Sequence, residues 1–191
     1  IDMKRAGFPV AGFAAMTLLV GCVTVNESYT GVTNEAKRDY LAYAGGKTPV
    51  LVRAVNSPFN EGALRTAAVA ASHAAEAIPA SAVEFTENDK AAAQAQFRVV
   101  MVFDPAINVS PHDICKADAA APAVSRAPGE LRIYSVFCSH DEPLAGTLVS
   151  GPAPSGLNDQ AYIKMVHMAF GNMFPTNDPE GANEPPVIPS S

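Results

Sequence analysis

Two cysteines and two histidines lie close enough in the sequence to share one site. His112 precedes Cys115 by three positions, and Cys138 precedes His140 by two. Two thiolates and two imidazoles can hold zinc in a tetrahedral site, but these four do not follow the usual two-Cys, two-His order of zinc fingers. In an exported chain an even pair of cysteines is more typical of a disulfide. Because the N-terminal residues indicate export, we expect a Cys115–Cys138 disulfide and no metal site.

Signals for catalysis are weak. His112, His140 and Asp141 are the candidates for acid–base chemistry. Ser72 and His73 are adjacent on a predicted helix, so their side chains point to different faces. The sequence has no Gly-x-Ser-x-Gly motif, no P-loop and no dinucleotide-binding glycine motif. We predict no enzyme activity, no catalytic residues and no cofactor. The alternative is an envelope hydrolase, or a metal- or redox-binding module, built on the histidine–cysteine cluster.

The N-terminal residues have the three-part organisation of a secretory signal. The basic residues Lys4 and Arg5 come first, an apolar run of 13 residues follows from Phe8 to Val20, and Gly21 precedes Cys22. The apolar run is shorter than the roughly 20 residues that a bilayer-spanning helix needs. We therefore interpret residues 1–21 as a signal that is removed.

The end of this signal carries a more specific motif. Leu19-Val20-Gly21-Cys22 resembles the lipobox of bacterial lipoproteins. The resemblance implies cleavage before Cys22, a diacylglyceryl group on its thiol, and acylation of the new amine, with palmitate as the label that would report it. Two or more acyl chains hold a protein stably on a membrane. In bacterial lipoproteins an Asp directly after the lipidated cysteine implies retention in the inner membrane. Val23 occupies that position here, so the resemblance implies the outer membrane, facing the periplasm.

A second, looser resemblance covers the part of the chain from Asn56 to Asp141. The motifs Asn56-Ser57-Pro58-Phe59, Val102-Phe103-Asp104-Pro105 and Phe137-Cys138-Ser139-His140-Asp141 are similar to those of small exported bacterial proteins with no assigned activity. This resemblance implies export and carries no activity.

The strand signals predict a sheet. Apolar, β-branched runs indicate strands over Pro49–Val55, Phe97–Phe103 and Glu130–Cys138, with shorter ones over Val83–Thr86 and Leu144–Ser150. Phe97–Phe103 is apolar almost throughout, so we expect a central strand whose Val100 and Val102 are buried.

Helical spacing of apolar residues predicts a short helix over Asn34–Ala44 and two main helices over Asn60–Ala77 and Asn158–Phe174. Residues 106–128 are expected to form a long loop that contains Cys115. The fold class we predict is α+β, a two-layer sandwich in which a four- to five-stranded mixed sheet carries two main helices on one face.

The domain organisation follows from these elements. We expect a lipidated tether with a short helix over residues 22–44, a single α+β domain over residues 45–175 and a disordered, proline-rich tail over residues 176–191. The formal net charge is −6, and it is one unit more negative without residues 1–21, which hold two basic residues and one acidic residue. This charge argues against nucleic-acid binding. We predict a non-catalytic envelope lipoprotein that is held to the membrane by its lipid and that binds or scaffolds a periplasmic partner.

Overall fold

The computed structural model describes residues 22–46, 48–59, 83–116 and 128–175. Over these ranges the protein is an α+β fold with one mixed sheet of six strands. The strands are β1 (Thr24–Thr30), β2 (Val50–Val55), β3 (Phe85–Thr86), β4 (Phe97–Phe103), β5 (Glu130–Ser139) and β6 (Glu142–Pro152). The helices within the same ranges are α1 (Asn34–Gly45), α2 (Pro111–Cys115) and α3 (Gln160–Met173).

The sheet has the strand order β1-β6-β5-β4-β2-β3. The pairs from β1 through β6 and β5 to β4 are antiparallel, whereas β4, β2 and β3 run parallel to one another. All seven residues of β4 are buried, between β5 on one side and β2 on the other. The prediction of a central strand is therefore confirmed, and Val100 and Val102 are 5% and 3% exposed.

The first face of the sheet carries α1 and α3. Side chains of both helices join one apolar cluster with alternate residues of the strands, such as Val99 and Met101 of β4. Asp159 begins α3 by accepting a hydrogen bond from the Ala161 N–H through its side chain. The inward stripe of α3 consists of Tyr162, Met165, Val166, Ala169, Phe170 and Met173, all of them fully buried.

The second face is covered over part of its area by α2. A smaller apolar cluster joins Ile114 and Cys115 of this helix to residues of β4, β5 and β6, among them Val100 and Val136. The sequence predicts the region around α2 as a loop, but five of its residues are helical. Ser110 and Asp113 form a reciprocal capping box, and Pro111 occupies the first turn, where its missing N–H costs nothing.

Strand β1 is the largest difference from the prediction. The sequence predicts a tether over these residues, but Thr24–Thr30 pair antiparallel with β6 and form one edge of the sheet. The side chains of Thr24 and Asn26 both bond the Ser150 hydroxyl, at 3.1 and 2.8 Å. The short strand that we expected over Val83–Thr86 is β3, at the other edge, so β1 is the strand that brings the sheet to six and not the four to five that we expected.

The two ends of the sheet differ in what they carry. Thr24, the first residue of β1, pairs with Ser150 of β6, and Ser150 pairs with Arg132 of β5. The N–H of Asp104, the residue after β4, donates to the Arg132 carbonyl. The start of β1 and the end of β4 therefore lie at the same end of the sheet. We call it the Cys22 end.

Helix α1 joins the far end of β1 to the start of β2. Its 12 residues span about 18 Å, and the four strand spacings between β1 and β2 amount to about 19 Å. Helix α1 therefore crosses the sheet at the opposite end, the α1 end.

Several predictions lie outside the described residues. These are the signal over residues 1–21, the helix over Asn60–Ala77 and the tail over residues 176–191. Within the described ranges, the helix that we expected to begin at Asn34 is capped by Thr33, and the helix that we expected to begin at Asn158 is capped by Asp159. No helix of the described ranges is both long and apolar enough to cross a bilayer.

Candidate functional site

Cys115 and Cys138 form a disulfide, as the sequence predicts. Their Cα atoms are 5.6 Å apart, and both side chains are fully buried in the smaller apolar cluster. The bond fixes the C-terminal residue of α2 to β5. Because each sulfur is bonded to the other, neither is a thiolate that could bind zinc, and the four-ligand site does not form.

A buried arginine forms a hydrogen bond with the C-terminal residue of α2. Arg98 of β4 is opposite Cys138 in the sheet register, and its guanidinium donates a hydrogen bond to the Cys115 carbonyl oxygen. Burial lowers the pKa of Arg98, as does the nearby charge of Arg53, whereas Asp141 raises it. A cation at the C-terminal carbonyls of a helix is stabilising, so Arg98 and the disulfide secure the same end of α2.

The histidines that could perform acid–base chemistry have separate surroundings. The His112 Nε2 atom lies 3.6 Å from a Glu142 carboxylate oxygen, with both side chains more than half exposed. The His140 backbone N–H donates to the Gln96 carbonyl at 2.7 Å, and its φ of 54° reflects a tight turn. No hydrogen bond or ion pair joins His112, His140 and Asp141 to one another in this described part of the chain. The geometry does not assemble a nucleophile–base pair here.

Tyr134 is a polar residue of the second face that sequence reasoning missed. Its hydroxyl donates to a Glu27 carboxylate oxygen at 3.3 Å and so links β5 to the edge strand β1. Burial raises the pKa of Tyr134, and the Glu27 charge raises it further, so the phenol stays neutral. Leu148 of β6 lies between them in the sheet register. This contact is structural.

Metal binding finds no support in the described ranges, where no three His, Cys, Asp or Glu side chains are arranged around a common point. His73 lies outside them, and His167 is half-buried on α3.

An aromatic groove lies at the α1 end. Tyr40 and Tyr43 of α1 project beside Phe97 of β4, and each ring centroid is 5.8 Å from that of Phe97. Ala36 and Asp39 complete the lining of the groove, which is open to solvent and has a volume of about 460 Å³. Ligand-sized pockets have volumes in this range. Tyr40 is 38% and Tyr43 is 63% exposed.

The groove was not predicted. The helical spacing predicts Tyr40 and Leu41 on one side of α1, but Leu41 is fully buried and Tyr40 is exposed. The signal that could have revealed it is the spacing of Tyr40 and Tyr43, three residues apart on one helix face, where side chains are neighbours. We call Ala36, Asp39, Tyr40, Tyr43 and Phe97 the aromatic groove from here on.

Cys22, the residue of the lipobox-like motif, is exposed and lies two residues before β1. Val23, between Cys22 and β1, is half-buried and packs against the apolar cluster of the first face. No protein-family model matches the chain, and no curated protein is significantly similar to it.

Proposed function

We propose that this chain is a lipid-anchored protein of the bacterial cell envelope that performs no catalysis and binds a protein partner. The anchor is Cys22, acylated after cleavage of residues 1–21. Support for it comes from the Leu19-Val20-Gly21-Cys22 motif and from the accessibility of Cys22 at the edge of the sheet. Val23 after the cysteine favours the outer membrane, facing the periplasm.

The observation that carries the binding proposal is the exposure of Tyr40 and Tyr43. Exposed tyrosines supply a large apolar area and a hydroxyl with few rotatable bonds, and aromatic residues are enriched at protein interfaces. Here two of them lie beside Phe97 in a concave surface. Such a surface is where binding free energy concentrates, because a side chain inserted there loses its contact with water.

The chemistry of the groove indicates the kind of partner. Apolar rings form most of its lining, and Asp39 supplies one exposed carboxylate. A segment of an envelope protein that presents an apolar side chain next to a Lys or Arg would satisfy both. The acidic net charge of the chain disfavours nucleic acid as the partner.

The binding proposal is tested by photocrosslinking in living cells. A photoreactive amino acid at position 43 should give a discrete crosslinked product, and Tyr40→Ala in the same chain should abolish it. The matched control is the same amino acid at Lys164, which is exposed on α3 and does not line the aromatic groove. Identical products from positions 43 and 164 would contradict a specific site.

The anchor is tested separately. Cys22→Ala should yield a precursor that takes up no labelled palmitate, whereas the unaltered chain is labelled. Palmitate labelling of the Cys22→Ala protein would refute the assignment of the anchor.

A further inference from the structure

We infer that the Cys22 end of the sheet rests directly on the phospholipid surface, with Ile107 inserted among the lipids. The inference rests on the proposed anchor at Cys22 and adds to it an orientation of the domain and a lipid-contacting residue. Three independent observations carry it: the length of the link between Cys22 and the fold, the position of Ile107, and the distribution of charge between the two ends.

The link between anchor and fold is one residue long. Thr24 is already paired with Ser150, so only Val23 separates Cys22 from the sheet. Val23 itself is packed: its Cγ2 atom lies 3.1 Å from where a Cβ atom of Gly151 would be, and Met165 is equally close to that point. A residue adds at most about 3.6 Å of reach. A lipid on Cys22 therefore holds the Cys22 end within a few ångströms of the membrane.

Ile107 lies in the turn that follows β4 at the same end. Asp104 pairs with Arg132 through two hydrogen bonds, so β4 ends at the level where β1 begins. The chain turns immediately afterwards, and the Val109 N–H donates to the Ala106 carbonyl at 3.3 Å. Ile107, within this turn, is 84% exposed. The three strand spacings between β4 and β1 place it about 14 Å to the side of the anchor.

Among the described residues, the loops of the Cys22 end carry few charges. The described loops there hold two charged residues, and both are engaged: Asp104 is buried and accepts from the Arg132 N–H, and Asp159 caps α3. Glu130 and Arg132, at the start of β5, add one charge of each sign. The loops are residues 56–59, 104–110, 128–129 and 153–159.

The α1 end is acidic by contrast. It carries exposed carboxylates on α1 and on the turns before β3 and β6. Anionic lipids attract basic segments, and they repel acidic ones by the same electrostatic force. The charge distribution therefore disfavours contact through the α1 end and keeps the aromatic groove away from the membrane. The acidic residues are Glu35, Asp39, Glu84, Asp141 and Glu142. The basic residues of the same end are less available: Lys37 and Arg98 are buried, Arg38 is half-buried and donates to the Pro175 carbonyl, and Lys116 pairs with Asp113. The exposed charge of this end is therefore mainly negative.

The test uses the absence of tryptophan from the sequence. Ile107→Trp places a single fluorophore at the Cys22 end, and Asn108→Trp, at the next exposed position, is a second reporter there. Glu84→Trp is the control at the α1 end. Each full-length variant is purified in its acylated form, checked for an unchanged thermal melt, and reconstituted into phosphatidylethanolamine–phosphatidylglycerol vesicles with brominated acyl chains.

We expect the tryptophan emission of Ile107→Trp to shift to shorter wavelength and to lose intensity in brominated vesicles relative to unbrominated ones. The emission of Asn108→Trp should lose less intensity than that of Ile107→Trp, and the emission of Glu84→Trp should be the same in both kinds of vesicle. If the variants float with the vesicles but Ile107→Trp and Glu84→Trp are quenched equally or not at all, the orientation is overturned and the anchor stands. If mass spectrometry finds Cys22 unmodified and the protein does not float, both the proposed anchor and this inference are overturned.

Discussion

The two faces of the sheet are held in different ways. The first face is covered by two helices of 12 and 14 residues, whose side chains fill one extended apolar cluster. The second face has the five-residue α2 and a smaller cluster. A helix this short is not stable by its own hydrogen bonds, since isolated helices below about 12 residues are marginal in water. Packing suffices on the first face, whereas α2 needs additional attachments.

Those attachments are specific and lie at both ends of α2. The capping box of Ser110 and Asp113 secures its first turn, and the disulfide and Arg98 secure its last residue. All three helices have polar N-caps, but only α2 adds a disulfide and a buried arginine, so in the described ranges these extra attachments are found where the apolar area is small. Each of the following predictions tests whether the faces differ in this way.

The largest effect is expected from a charge in β4. Val99 points to the first face and Val100 to the second, and both are buried. An unpaired buried carboxylate costs several kcal/mol, against a total stability of about 5–15 kcal/mol. Val99→Asp and Val100→Asp should therefore both abolish the cooperative thermal transition. If Val100→Asp melts like the unaltered protein, the second face is open to water.

Truncation of one large side chain per face should show the difference directly. Phe170 of α3 is fully buried and packs edge-on against Phe85, with 5.5 Å between centroids. Phe170→Ala should reduce the free energy of unfolding by about 3–5 kcal/mol. Ile114→Ala on α2 should cost about 2 kcal/mol, because a short helix at the surface can settle into the space left. Urea denaturation measures both, and equal losses would contradict the distinction.

Removal of the disulfide should affect the second face selectively. The bond closes a loop of 23 residues, and the entropy of that loop in the unfolded chain corresponds to about 3 kcal/mol. In the Cys115→Ala, Cys138→Ala double variant, the amides of Ile114 and Lys116 should exchange with solvent much faster, while those of α3 should change only with the global stability. Equal acceleration in α2 and α3 would show that the bond stabilises the whole domain uniformly.

The smallest effect is expected inside the first face. The Thr147 hydroxyl is fully buried and has no hydrogen-bond partner in the described ranges, and its neighbour across the strands, Ser135, is in the same state. Thr147→Val replaces the hydroxyl by a methyl group of similar size. Because no hydrogen bond is lost, the free energy of unfolding should change by less than about 0.5 kcal/mol or rise. A loss above about 1 kcal/mol would mean that the hydroxyl is bonded in solution.

The elements that could be predicted from the sequence are those whose signal is local. Strand β4 is apolar except for Arg98, and such a run indicates burial on both faces wherever it lies in the chain. The disulfide followed from counting: with Cys22 assigned to the anchor, two cysteines were left. Neither prediction depends on which strands are neighbours in the sheet.

The elements that were missed depend on distant partners. Thr-Val-Asn-Glu-Ser-Tyr-Thr has no alternation of apolar and polar residues, and β1 is a strand because the open edge of β6 offers it hydrogen bonds. The exposure of Tyr40 depends on the direction in which α1 crosses the sheet, which the helical pattern does not contain. Helix α2 is different: its Ser-Pro-His-Asp start carries both a capping box and a first-turn proline, so the signal was present.

The pairing of β1 with β6 has a consequence for the order in which the fold can be completed. Thr24 and Ser150 touch across the sheet although 126 positions separate them in sequence. A ribosome therefore makes β1 before any other strand of the described ranges, and makes its partner after all the others. Closing so long a loop has a greater entropic cost than forming the β5–β6 hairpin. Until β6 has been synthesised, the segment that becomes β1 has no strand to pair with, and the sheet lacks one of its edges.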